Sequence, residues 1–181
     1  MTIDRKHLIF RKCNPRIDAP HHMKACRNSR DYLEHHLCWG ETAITWGKAS
    51  HEEFLSGMTK MPGTLGTYVA YYKTRFAGMF QHSISEDGQS AQICFWVPKQ
   101  MAGIGIATTI TGMLTQDSFD VYGVNQVSLH VDKANVASSK VAERNGYEIR
   151  REYFDEPYGT KDSGWLVEWI KYNPQRIADC A

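Results

Sequence analysis

Between Cys94 and Thr108 the chain changes its hydrophobic period once, across a proline and two glycines. Strand-like Cys94-Phe95-Trp96-Val97 meets Pro98, a loop carries Gly103 and Gly105, and apolar residues then recur at helical spacing at Ile106, Ile110, Met113 and Leu114. A β-rich run returns at 124–131. A strand, a crossover helix and a second strand in one sheet make a parallel pair, so 91–97 and 124–131 are expected to be parallel neighbours. The loop has a chemical consequence as well. The first N–H groups of a helix have no partner inside it and carry partial positive charge, which suits an anion. Gly103 and Gly105 remove side chains that would hold a phosphate away, and Ala107 lets the helix lie close to a ligand. The expected ligand group is a pyrophosphate. Two glycines also make ordinary turns, so the loop alone does not settle the matter. A Rossmann fingerprint is absent, because four strands precede the loop and GxGxxG is not present. The P-loop pattern GxxxxGK[ST] is absent too.

The flanking pattern completes a mixed sheet. His7 to Lys12 reads as a strand with Leu8 and Phe10 on one face, and 18–60 reads as helical but poorly patterned, up to a break at Pro62-Gly63. Strands follow at 67–72 and 76–85, joined by the polar turn 73–75; Glu86-Asp87-Gly88-Gln89 then turns the chain into 91–97. Asn135 fits the N-cap of a second helix and Gly146 its C-terminal cap, with strands near 147–154 and 165–172. The expectation is an α+β (mixed α/β) domain spanning 1–181: an antiparallel meander running into a strand–helix–strand–helix–strand tail.

Composition narrows the function classes. At 181 residues the chain fits one domain, and it is long enough to bury a core without disulfide staples. Its 21 basic and 20 acidic side chains leave a formal charge of +1, which argues against a nucleic-acid partner. Five cysteines, Cys13, Cys26, Cys38, Cys94 and Cys180, are an odd number without a CxxC, so neither a disulfide framework nor a zinc module is expected. The N-terminal MTIDRKHLIFRKC has no long apolar run, and no membrane-length apolar stretch occurs, so a soluble cytoplasmic protein with no membrane partner is expected, as a monomer or homodimer.

The segment Gln100-x-x-Gly103-x-Gly105 followed by Ala107-Thr108 resembles the acyl-CoA signature Q/R-x-x-G-x-G/A of the GNAT N-acetyltransferase superfamily. The resemblance is to its Rim-type branch, the ribosomal-protein alanine/serine N-acetyltransferases. Leu8-x-Phe10-Arg11, Phe76-x-Gly78, Phe95-Trp96, Phe119, Gly123, Asn135-x-x-Ser138, Val141-Ala142 and Gly146-Tyr147 fall in that branch's order over roughly 5–172, most weakly between 12 and 62. The resemblance implies a GNAT-type fold, a mostly antiparallel sheet of about seven strands with two splayed parallel strands and flanking helices. It implies acetyl-CoA as co-substrate, with the pantetheine arm along Phe95, Trp96 and Val97. The pyrophosphate would sit on the loop and helix start, at Gln100, Ala102, Gly103, Ile104, Gly105, Ile106, Ala107 and Thr108. Asn135 and Ser138 would contact the arm. Ile104 stands where the branch often has Lys or Arg, so one phosphate-facing charge is missing.

Acetyl transfer to an amine needs a base for the amine proton and an acid for the departing thiolate. The tyrosine acid common in the superfamily would fall at Ala142, so it is absent here. Ser138 matches the serine that the branch is thought to use instead; a serine there also solvates a helix start. For the base, the resemblance points to Glu156, then Glu152, in the run Glu152-Tyr153-Phe154-Asp155-Glu156; a bound water is a further option. His82 and His130 lie in strands, where a histidine with its hydrogen bonds satisfied is commoner than a base. The pairs His21-His22 and His35-His36 point about 100° apart on a helix and are poor joint ligands, so no metal is expected. Trp39 and Trp46 flank the acceptor side, and Arg150-Arg151 is either a solvated pair or a lure for an acidic acceptor. The leading expectation is direct acetyl transfer in a ternary complex to a primary amine, with a protein N-terminus as the acceptor that the branch suggests. The alternatives are a small amine (aminoglycoside, polyamine or amino-acid derivative) and a non-catalytic acyl-CoA sensor.

Overall fold

A computed structural model describes residues 3–37, 39–157 and 162–178. Cys38 and Cys180 lie outside the described residues, as do the side chains of His35 and His36. The strands are β1 (Leu8–Lys12), β2 (Thr64–Tyr72), β3 (Arg75–Ile84), β4 (Ser90–Trp96), β5 (Gln126–Asp132), β6 (Glu148–Phe154) and β7 (Trp165–Tyr172). The helices are α1 (Pro15–Arg27), α2 (Arg30–His36), α3 (Gly40–Ala43), α4 (Lys48–Thr59), α5 (Ile106–Asp120), α6 (Val136–Arg144) and α7 (Pro174–Ala178).

The strands form one sheet in the order β1-β2-β3-β4-β5-β7-β6. Only the β4–β5 pair is parallel, and α5 makes the crossover between them. The expected α+β class and the splayed parallel pair are both present. The order adds one feature that the sequence pattern does not show: β7 returns between β5 and β6, so the last two strands form a hairpin whose second strand pairs with β5. α6 ends in a Schellman closure, with Tyr147 N–H donating to the Ala142 carbonyl and Gly146 N–H to that of Glu143.

Each face of the sheet has its own core. Along β4 and β5 the residues Ala91, Ile93, Val127, Leu129 and Val131 point to the α5/α6 side and are buried there with Ile106, Ile110 and Leu114. The opposite face of β2–β4 presents Val69, Tyr71, Phe76, Met79 and Trp96 to α1–α4. That helical layer is pinned by Asp18, a buried carboxylate. Arg11 donates to it twice (2.9 and 2.6 Å), the Tyr71 hydroxyl once (2.7 Å) and the Asn14 amide once (2.7 Å). Burial by itself would raise this carboxyl; the Arg11, Tyr71 and Asn14 hydrogen bonds overcome it and hold Asp18 below the usual range. No helix among the described residues is long and apolar enough to cross a membrane.

Candidate functional site

The parallel pair is short. Ser90, Ala91 and Gln92 pair with Gln126, Val127 and Ser128, and pairing then stops. Beyond that point Ile93–Trp96 and Leu129–Asp132 run on without each other, so β4 and β5 flank a gap whose backbone edges are unpaired on the inside. On its other side β4 stays paired to β3 as far as Met79–Trp96. Gly78 permits this close approach: its φ is +153°, and a Cβ there would sit 2.8 Å from the Trp96 carbonyl oxygen. Pro98 ends β4, and a single 3-10 turn, Lys99–Met101, leads into the glycine loop.

The loop leaves a run of backbone donors unpaired. Met101 and Ala102 N–H groups close on Pro98 and Lys99, and the first amide of α5 to find a helical acceptor is Thr109, which donates to Gly105. Among the described residues, no hydrogen bond takes up the six amides from Gly103 to Thr108. Gly103 has φ +76°, and a Cβ on it would meet no atom within 4 Å, so the position opens onto free space. Gly105 caps α5 with φ +97°. Ile104 and Ala107 pack partly against the core below, which leaves their backbone as the outward feature. Gln100 turns away from the cup: its side-chain amide donates to the Asn28 carbonyl (2.7 Å), while Lys99 N–H donates to the Ser29 hydroxyl (3.1 Å). These two bonds anchor the loop to the α1–α2 connection.

Phe95 is half-buried against the α5-side core, and Trp96 and Val97 are buried. Asn135 is the N-cap of α6, its Oδ1 accepting from Ser138 N–H at 3.1 Å. Ser138 is half-buried in the first turn of that helix, just past the end of β5. Of the acidic candidates, Glu152 is ion-paired with Lys133 at 2.7 Å, and Glu156 is exposed beyond the end of β6.

The strand histidines separate. His82 is core: its Nε2 lies 2.7 Å from the Ser118 hydroxyl, and burial pushes it down to about 4. His130 lies two residues past the last β4–β5 pair, on the face opposite Leu129 and Val131. Its Nδ1 is 2.7 Å from the Tyr153 hydroxyl, and burial, outweighing the nearby Glu168, keeps the ring below the ordinary histidine value. The signal for this placement is the strict alternation of 126–132, which sends Gln126, Ser128 and His130 to one side.

Because α1–α4 cover β2–β4 only, this side of β5 and β7 is open. It forms a trough of about 320 Å³ floored by Ser83, Gln92, Ser128 and His130, with Glu168 and Arg150 at one wall. Arg150 and Arg151 both pair with Glu168, at 3.4 and 2.5 Å, while their side chains stay 49% and 62% exposed, so the two arginines are solvated and already directed at a carboxylate of the chain itself. Next to the trough, Leu37, Trp39, Met58 and Cys94 line a smaller apolar recess over Trp96.

A family model for the acetyltransferase (GNAT) domain matches residues 7–148. No curated relative matches the chain by sequence. Among solved structures, the fold is similar to RimL, a ribosomal L7/L12 α-N-protein acetyltransferase in complex with coenzyme A (TM-score 0.81, 16% identity, 92% of this chain and 94% of that one). It is similar to the microcin C7 self-immunity acetyltransferase MccE in complex with acetyl-CoA and AMP (0.79, 17%, 92% and 92%). It is also similar to the spermidine N-acetyltransferase from Vibrio cholerae in complex with CoA and spermine (0.72, 16%, 95% and 99%).

Proposed function

We propose an acceptor and a catalytic pair for this chain, which belongs to the GNAT acetyltransferase family and is an acetyl-CoA-dependent N-acetyltransferase. The co-substrate supplies the acetyl group as a thioester. The six unclaimed amides from Gly103 to Thr108 hold its diphosphate, and the inner edge of β4 from Phe95 to Val97 aligns the pantetheine arm, with the Asn135 side chain beside it. Gln100, Ala102, Ile104 and Ile106 contribute through the backbone shape of the loop.

The amine enters from the trough. His130 takes its proton as the nitrogen attacks the thioester carbon. With Nδ1–H donating to the Tyr153 hydroxyl, Nε2 carries the lone pair for that transfer, and burial keeps the ring unprotonated. The carbon–sulfur bond breaks, and the Ser138 hydroxyl protonates the departing thiolate, regaining its proton from solvent. His130 is preferred to Glu156 and Glu152 because its strand segment borders the gap and its ring lines the trough, whereas Glu152 is held by Lys133 and Glu156 is exposed beyond β6. The free thiols Cys13, Cys26 and Cys94 suit work in a reducing cytoplasm.

The acceptor is an α-amine at a protein or peptide N-terminus. One observation carries this reading: the only carboxylate among the described residues lining the trough is Glu168, and two arginines already neutralise it. A polyamine needs a second and third anionic partner. A peptide brings one charged amine and then uncharged amides, which suit Ser83, Gln92 and Ser128. Thiol release with short peptides beginning in Ser or Ala, against spermidine at equal concentration, tests it. Higher kcat/KM for the peptides supports the reading, and higher kcat/KM for spermidine overturns it. Tight acetyl-CoA binding without turnover on any amine would indicate an acyl-CoA sensor.

A further inference from the structure

The helical layer holds a second chemical cluster that the transferase does not use. His22 and Cys26 stand one helical turn apart on α1, which puts both on one face, and α4 brings His51 against them. His21, next in sequence, points outward. All three inward side chains are fully buried, and their donor atoms lie within 4.8 Å of one another. The two Nδ1 atoms are 2.9 Å apart, and Cys26 Sγ is 3.8 Å from each nitrogen of the His22 ring.

Two neutral imidazoles facing through Nδ1 share one proton, and the outer nitrogen of His51, Nε2, has the Ala43 backbone carbonyl as its neighbour. The surroundings are aromatic: Trp39, Phe54, Phe76 and Trp96 pack around His22, and Trp46 packs on His51. What the cluster does offer is two imidazoles and a thiol whose donor atoms lie within 4.8 Å of one another. A trigonal set of two nitrogens and one sulfur, with metal–N of about 2.05 Å and metal–S of about 2.3 Å, has N···S edges of about 3.8 Å and N···N edges of about 3.5 Å. The His22 Nδ1–Cys26 Sγ distance equals the first edge, but the sulfur is also 3.8 Å from Nε2, so binding asks the His22 ring to turn one nitrogen toward the point it shares with the sulfur, and the two rings to part by about 0.6 Å.

We propose that His22, Cys26 and His51 form a binding site for one monovalent copper ion, Cu(I). Three observations select this ion. No fourth donor joins the group among the described residues, and structural zinc is almost always four-coordinate. Thiolate and imidazole are ligands that soft Cu(I) accepts. The charge also decides: Cu(I) with one thiolate and two neutral imidazoles is neutral, whereas a divalent ion leaves a net positive charge in a buried, aromatic core. On binding, the Cu–S bond forms as the thiol proton leaves for solvent; no electron is transferred. The site lies directly behind Trp96, whose backbone borders the acyl gap.

The test titrates the purified full-length protein with Cu(I) under anaerobic conditions against a chromophoric Cu(I) chelator. Wild type should take up about one equivalent. A variant in which Cys13, Cys38, Cys94 and Cys180 are Ser should keep that equivalent, and X-ray absorption should show one sulfur and two nitrogens. Cys26→Ser and His51→Phe should each lose it while keeping acetyl-CoA binding, which reports the fold independently. Uptake that follows the other cysteines, uptake unchanged in Cys26→Ser, or one equivalent of Zn(II) bound in preference to Cu(I) would each overturn the proposal. If Cys26→Ser fails to fold, the variant with Cys26 as its only cysteine decides: a copper spectrum without sulfur or without two nitrogens rejects the site.

Discussion

Gly103 separates backbone strain from anion binding, because its conformation and its surroundings are both defined. At φ +76° any other residue occupies the left-handed region, which costs about 1–2 kcal/mol. A Cβ there meets nothing within 4 Å, so no clash adds to that cost. In a chain this long each kcal/mol lowers Tm by about 2–4 °C, so Gly103→Ala should melt roughly 2–8 °C lower and still bind coenzyme A. Gly103→Glu bears the same strain and also puts a carboxylate among the six unclaimed amides. Charge-assisted hydrogen bonds are worth about 1.5–3 kcal/mol each, so displacing two weakens the cofactor by about 3–6 kcal/mol, or roughly 10²- to 10⁴-fold. Isothermal titration of both variants with coenzyme A, beside their melting curves, reads the two effects apart. A Glu variant that binds within about tenfold of the Ala variant refutes the assignment of the diphosphate to this loop.

Replacing His130 by Gln should lower kcat by about 10²- to 10³-fold while leaving coenzyme A affinity intact. In the wild type the rate should rise with pH through a value below that of ordinary histidine and then level, since the base acts unprotonated and burial lowers its proton affinity; an unchanged kcat in the variant removes His130 from the chemistry. Ser138→Ala should reduce turnover more than cofactor affinity, and equal rates would reduce Ser138 to a helix-start residue. Asp18→Asn should cost about 3 kcal/mol at pH 7, because Arg11 and Tyr71 lose a buried anion. The Asp18 carboxyl is lower in the folded state than its unfolded value of about 3.9, so its contribution is complete above that pH and is lost as pH falls through the folded value. Urea midpoints of wild type and variant should therefore converge in acid, and a constant gap down to about pH 3 would contradict this account.

The loop and the crossover were legible because each is written locally, whereas the splay of the two parallel strands came only with the family resemblance. A proline, two glycines and a switch from period 2 to period 3.6 leave little freedom for the chain between Trp96 and Ile110. The alternation of Val127, Leu129 and Val131 carries the direction in which His130 faces, but the partner that distinguishes it from His82, the Tyr153 hydroxyl, arrives from β6 and has no local mark. The same holds for Glu168, whose pairing with Arg150 and Arg151 depends on β7 inserting beside β5. The helical layer read as poorly patterned because its inward faces carry His22, Cys26, Trp39 and His51 rather than a leucine stripe. His22 and Cys26 are at ligand spacing on one helix, yet His51 enters from 25 positions beyond Cys26, across two intervening helices. Adjacent histidines diverge on a helix, whereas the i, i+4 spacing puts His22 and Cys26 on one face of α1.

Amide nitrogen–proton NMR spectra of the uniformly labelled protein, recorded as coenzyme A is added, address the anion cup most directly. The largest shifts should fall on Gly103 to Thr108, whose protons gain acceptors they lack in the free protein. If the cofactor binds and those resonances stay still while others move, the diphosphate lies elsewhere and the reading of this site is wrong.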